Sequence, residues 1–217
     1  MKLFIFSLAV IFCSCSQAFY FETPNDVYRM KGTILFNDNT KLTGDITIPF
    51  EENYQAYINT GQFIQIIPEG KTTEERVSLN SITGYYIDSN FYALKRVFLF
   101  IDHNDHMLFV KRLTSEHSKI QLYILHQSGK SNPTGEETDD YFISLPKSGP
   151  YEAINTRSAK LIPDFDAKMS AFVADCPPIA DKIRSRADGY FLPFVTIDRF
   201  KHRDVLMKII NEYNNCQ

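Results

Sequence analysis

The stretch Thr33-Ile34-Leu35-Phe36-Asn37-Asp38-Asn39-Thr40-Lys41-Leu42-Thr43-Gly44-Asp45-Ile46-Thr47-Ile48 decides how the chain is read. Two segments rich in β-branched residues flank Asn37-Asp38-Asn39-Thr40, whose side chains bond their own backbone and favour turns, so the spacing predicts a β-hairpin. Pro49 ends the second strand, because it has no N–H to give a ladder. Downstream, strands are predicted at 56–58, 63–67, 76–79, 82–87, 96–101, 107–113, 120–125 and 141–145. Val97-Phe98-Leu99-Phe100-Ile101 lacks polar alternation and is expected to be buried on both faces. Asp102-His103-Asn104-Asp105-His106 reads as a hairpin tip. Residues 128–140, with two glycines, a proline and four carboxylates, read as an exposed loop. Short strands joined by tight turns predict an antiparallel sheet or partly closed barrel over residues 27–146.

After Pro146 and a connector, the apolar period changes from two to that of a helix. Phe165, Met169, Phe172, Val173 and Cys176 fall on one helical face, with Asp164 as the expected N-cap. In Asp175-Cys176-Pro177-Pro178, Pro177 excludes helical geometry at Cys176, so one helix is expected to stop there and another to begin. That second helix is expected over 178–187, stopped by Asp188-Gly189. After an aromatic crossing segment at 190–194, a third helix is predicted from a cap at Asp198, with Leu206, Ile209, Tyr213 and Cys216 on its apolar face. The fold class is therefore α+β: the β-portion, then a three-helix portion over 160–217.

At the other end, Met1-Lys2, the apolar run 3–12 and the small-residue segment 14–18 have the three-part order of a secretory leader cleaved after Ala18. The apolar run is shorter than the roughly 20 residues a permanent span needs, and no other stretch is long enough. Export to a secreted or periplasmic location is expected, with lipid anchoring through Cys13 or Cys15 as the alternative. The net charge is −3 for the full chain, and loss of Lys2 with the leader makes the mature protein more acidic. That balance gives no support for nucleic-acid binding, which wants a basic patch. Of four cysteines, Cys176 and Cys216 survive leader removal, and in an oxidising compartment they are expected to form a disulfide.

The motifs that suggest chemistry are weak. His103-x-x-His106 has flanking carboxylates, but it needs a third ligand such as His117 or His126 and matches no specific metal spacing. Gly129-Lys130-Ser131 resembles the end of a phosphate-binding loop, with Ile124 where the first glycine belongs. Glu136-Glu137-Thr138-Asp139-Asp140 lacks the alternating ligands of a calcium loop. Lys182, Arg184 and Arg186 read as a solvent face, as do Lys201-His202-Arg203. No catalytic, cofactor-binding or metal-binding residue is assigned, and no cofactor is expected.

Gly32-x-Ile34, Gly44-x-Ile46, Asp175-Cys176-Pro177 and Tyr213-Asn214-Asn215-Cys216 together resemble uncharacterised secreted β-rich proteins of Bacteroidota-type bacteria with an Asp-Cys-Pro helical tail. The resemblance implies export and implies no activity. The sequence reading is an exported, non-enzymatic envelope or secreted protein that binds a protein or envelope partner or a ligand through the β-portion or its loops, or serves a structural role. Its alternative is a hydrolase-like enzyme with a site assembled from scattered residues.

Overall fold

The computed structural model describes residues 27–48, 63–99, 104–127, 138–193 and 199–216. Among the described residues, ten strands form one antiparallel sheet: β1 (Met30–Phe36), β2 (Lys41–Thr47), β3 (Phe63–Pro68), β4 (Glu75–Ser78), β5 (Ile82–Ile87), β6 (Asn90–Leu99), β7 (Asn104–Arg112), β8 (Gln121–Gln127), β9 (Thr138–Ser144) and β10 (Ile154–Asn155). Their order is β10-β9-β8-β7-β6-β5-β1-β2-β3-β4, so the sheet is open, with β4 and β10 at its edges. Helices α1 (Phe165–Phe172), α2 (Pro177–Arg184) and α3 (Arg199–Asn214) follow, giving the expected α+β class. The strand predicted at 56–58, the leader with Cys13 and Cys15, and the Gly129-Lys130-Ser131 stretch lie outside the described residues.

The hairpin forms as its side chains require. Asn39 takes a left-handed conformation with φ 67°, and Asp38 Oδ1 accepts from the Thr40 amide at 2.9 Å. Gly32 of β1 stands opposite Gly44 of β2. A Cβ on Gly44 would lie 2.2 Å from the Ile67 carbonyl oxygen, and one on Gly32 would lie 2.4 Å from that of Tyr86. The neighbouring backbones come too close here for any side chain.

The sheet serves two cores. Ile34, Ile46, Ile64, Ile66, Tyr85, Leu94, Val97, Leu108, Val110, Tyr123 and Phe142 pack into the first. Alternate residues of β8 and β9 (Leu122, Tyr141 and Ile143) face the second, where Phe165, Met169, Cys176, Ile183, Leu206, Ile209 and Tyr213 cover them. The helices thus pack on the outer face of β8–β9, and one strand pair is shared by both cores. At eight residues each, α1 and α2 fall below the roughly 12–15 residues at which isolated helices become marginally stable, so tertiary packing holds them.

Residues 149–155 return from the end of β9 to run beside β6 as a strap, with Glu152 bridged in parallel to Arg96. Arg96 N–H donates to the Tyr151 carbonyl at 2.6 Å, Ser144 Oγ to the Glu152 carbonyl at 2.6 Å, and Asn155 Nδ2 to the Phe98 carbonyl at 3.1 Å. The Tyr151 hydroxyl reaches the first hairpin, donating within 3.1–3.2 Å of Asn37 Oδ1 and the Ile82 carbonyl.

Several expectations are corrected. Strand β6 begins at Asn90, directly after a turn in which Asp88 has φ 53°, and the segment buried on both faces is 91–95. Phe98 is only half-buried. Asn104, Asp105 and His106 belong to strand β7, paired with Leu99, Phe98 and Val97; His106 is buried in the ladder and forms no hairpin tip. Thr138, Asp139 and Asp140 belong to β9, with Asp140 buried, because each pairs with β8. Asp164 makes no side-chain cap and sits at φ 65°. Helix α1 stops at Phe172, before Cys176, and α2 runs from Pro177 to Arg184, because Arg186 enters the left-handed region at φ 54° ahead of Gly189. The cap expected at Asp198 lies outside the described residues.

Candidate functional site

The sequence candidates do not converge. His106 is buried beside Val97, whereas His117 is exposed and lies 3.4 Å from Glu116. His103 and the side chain of His126 lie outside the described residues. Among the described residues, no three His, Cys, Asp or Glu side chains gather around a common point. Lys182, Arg184 and Arg186 do face solvent, each paired with a carboxylate: Glu212, Asp181 and Asp166 respectively.

His202 departs from the solvent-face reading. It is buried on α3 because helical periodicity places it beside Val205, Leu206 and Ile209. Its Nε2 is 2.9 Å from Thr156 Oγ1, and its ring stacks on Tyr141 at 5.6 Å. Burial, reinforced by the Arg157 charge, pushes its pKa down to about 4, so the ring is neutral at pH 7. Next to it, Arg157 pairs with Asp140, whose carboxyl is pushed up by burial and pulled back in part by that guanidinium. This group pins α3 to β9 and to the residues that follow the strap.

A second polar group lies on the face of the sheet that carries the first core. Lys95, only 7% exposed, interrupts the apolar run of β6. Its Nζ donates to the Pro150 carbonyl at 2.6 Å and stands 5.0 Å from the centre of the Tyr123 ring. Arg112, which pairs with Tyr123 across β7–β8, points to the same face. Burial, with a smaller contribution from Arg112, lowers the Lys95 pKa to about 8. Burial also raises that of Tyr123, partly offset by Ser144 and Arg112.

The third feature is a cleft of about 550 Å³ between the segment after α2 and the first turns of α3. Arg186, Gly189, Phe191, Lys201, Asp204 and Lys208 are among its lining residues. Its size lies in the range of small-molecule sites, about 300–1,000 Å³. The Arg186 guanidinium covers the Phe191 ring at 4.7 Å, and Lys208 Nζ covers Tyr190 at 4.3 Å.

No protein-family model, curated protein or solved structure matches the chain.

Sequence reading missed both Lys95 and the cleft. A lone lysine inside Phe91-Tyr92-Ala93-Leu94-Lys95 was the available signal, since a charge in a run buried on both faces has to be accommodated. The cleft left no signal in the sequence, because its walls come from two segments whose approach is set by tertiary packing.

The cysteine pair does converge. Cys176 and Cys216 are bonded, with their Cα atoms 6.1 Å apart, within the usual span for a disulfide. Cys176 is the residue before α2, and Cys216 lies just beyond α3, so the bond joins helix ends rather than helix faces. Tyr213 donates to the Asp175 carboxylate at 2.8 Å beside it, and burial together with that carboxylate pushes the phenol up to about 12. Among the described residues, no helix is long and apolar enough to cross a membrane.

Proposed function

We propose that the chain is an exported, non-enzymatic protein of the envelope or extracellular space, which binds a ligand or partner through the cleft beside α3. The observation that carries export is the Cys176–Cys216 disulfide, since such bonds persist in oxidising compartments and are rare in reducing ones. The bond's two ends belong to the Asp175-Cys176-Pro177 and Tyr213-to-Cys216 motifs. This supports placing the chain with the secreted Bacteroidota-type proteins that it resembles. The binding part rests on the cleft, which combines apolar walls with cationic groups held over aromatic rings.

The test is to express the full chain with its own leader in an exporting bacterium and measure intact mass in each cell fraction. Export predicts a periplasmic or medium species that begins at Phe19 and has no thiol free for alkylation. A diacylglyceryl adduct on Cys15 converts the reading to its lipid-anchored form. Cytosolic protein that retains residues 1–18, with both thiols free, overturns it.

A further inference from the structure

Helix α3 is held differently at its two ends. Beyond its last turn Cys216 is bonded to Cys176, and beside that bond Tyr213 donates to the Asp175 carboxylate at 2.8 Å. The Lys119 amide donates to Asn214 Oδ1 at 2.8 Å, and Lys119 Nζ to the Cys216 carbonyl at 2.8 Å. Glu212 accepts from Tyr190 and from Lys182, and those two bonds hold its carboxyl below the usual carboxylate range. Mild acid therefore leaves this end fastened. Near the start of the helix the tie is His202, whose Nε2 lies 2.9 Å from Thr156 Oγ1 and whose ring lies on Tyr141.

The surroundings of His202 suit a neutral ring and oppose a charged one. From β9 it meets Tyr141, and from the residues after the strap it meets Thr156 and the Arg157 guanidinium. The buried carboxylate of that group, Asp140, is paired with Arg157. On α3 itself the charged neighbours Lys201, Arg203 and Asp204 are exposed. A proton on the imidazole thus adds a buried positive charge beside an arginine, and the ring is relieved only by reaching water. Arg157 and Asp140 belong to the sheet side and stay there when the helix moves.

We propose that His202 is an acid-released latch: on protonation the first half of α3 lifts from β9, while its end stays fastened at the Cys176–Cys216 corner. A lifted segment of about two turns is too short to keep its helix alone, so its amides become exchangeable. The lifted half carries Lys201, Asp204 and Val205, which line the cleft, so acid opens the cleft from that side. Discharge of a bound ligand in acid rests on the cleft being the binding site; the latch itself does not.

The test needs no ligand, so its outcome is separate from whether the cleft binds one. Hydrogen exchange of the disulfide-intact protein is followed at pH 7 and pH 5, corrected for intrinsic rates. With the ring pKa at about 4 when docked and 6.5 when free, protection of amides 203–207 is expected to fall about twenty-fold between the two. Amides 211–214 and those of β5–β7 are expected to keep theirs. His202→Gln, which does not titrate over this range, is expected to abolish the change. If that variant does not fold, the wild-type imidazole decides by NMR, since its titration must coincide with the loss of protection at 203–207. Unchanged protection at pH 5, equal loss along the whole of α3, loss shared by β5–β7, or a ring that titrates near 6.5 with 203–207 still protected overturns the proposal.

Discussion

The two faces of the β8–β9 pair support cores of different character. On the face of the first core, isoleucines and tyrosines from many strands interlock within a continuous ladder, in which the strands between β10 and β4 are held by neighbours on both sides. On the outer face, two eight-residue helices and one of sixteen cover Leu122, Tyr141 and Ile143. That second core depends on attachments: a disulfide at one end, His202 and Thr156 in the middle, and the buried Tyr190 bonded to Glu212 and Lys182 at its margin. A sheet supplies its own cross-links through backbone hydrogen bonds. Short helices satisfy their bonds internally and need side chains or covalent bonds to fix them to anything else.

The sharpest way to break the contrast is Cys176→Ser. Under oxidising conditions it is expected to lower stability by about 4 kcal/mol in the chain-entropy model, given 40 residues between the cysteines. With strong reductant present, wild type and variant should differ little in urea unfolding. Hydrogen exchange should show the α1–α3 amides losing protection before those of β5–β7. Uniform loss over both regions would mean that the two cores open together.

Gly44→Val attacks the sheet instead. With a Cβ 2.2 Å from the Ile67 carbonyl oxygen, strand β2 or β3 must move, at a cost of about 3 kcal/mol or more. Loss of protection should begin in β1–β3, which denaturant-dependent hydrogen exchange can locate. Exchange that begins in the helices would contradict the close approach as the cause.

The pH dependence sharpens the role of His202. Its pKa is about 4 folded and near 6.5 unfolded, so the unfolded chain binds the extra proton between those values. Stability is therefore lost as pH falls from about 6.5 to about 4 and no further below that, by up to about 3 kcal/mol. His202→Gln should flatten that part of a stability-against-pH curve. Asp140, raised by burial, acts in the opposite direction, so the comparison is with wild type over the same range. A curve of unchanged slope would remove His202 as the acid-sensitive attachment.

The smallest effect is expected from Tyr151→Phe, which removes the bonds from the strap to Asn37 and the Ile82 carbonyl. About 1 kcal/mol is expected from chemical denaturation, the scale of a partly exposed neutral hydrogen bond. An effect several times larger would mean that the strap holds more of the sheet than these two contacts.

The sequence made the ladder legible because period-two patterning and turn chemistry are local. The first hairpin and the strand at 82–87 follow from neighbouring residues alone. Polar residues were harder to place. His106, Asp140 and His202 look like surface in sequence, yet each is buried. The partners that make this tolerable for Asp140 and His202, Arg157 and Thr156, are supplied by the connector after β9. Patterning assigns a polar side chain to solvent unless its partner is visible, and here the partners lie 17 and 46 residues away. Cys176 and Cys216 could be paired by elimination, but their placement at helix ends depended on where α1 stopped. The left-handed turns at Asp164 and Arg186 are poorly marked in sequence, since neither residue is a glycine.

The strap also imposes an order of events. Asn37 and Tyr151 are 114 residues apart, and Asn155 bonds a carbonyl 57 residues before it. A chain emerging N-terminus first can pair β1 with β2 while Tyr151 is still absent, but it cannot join Asn37 and β6 to the strap until the residues after β9 have arrived. Closing so large a loop comes late, after local pairs have formed. The Lys95 ammonium therefore meets its Pro150 acceptor only late in assembly.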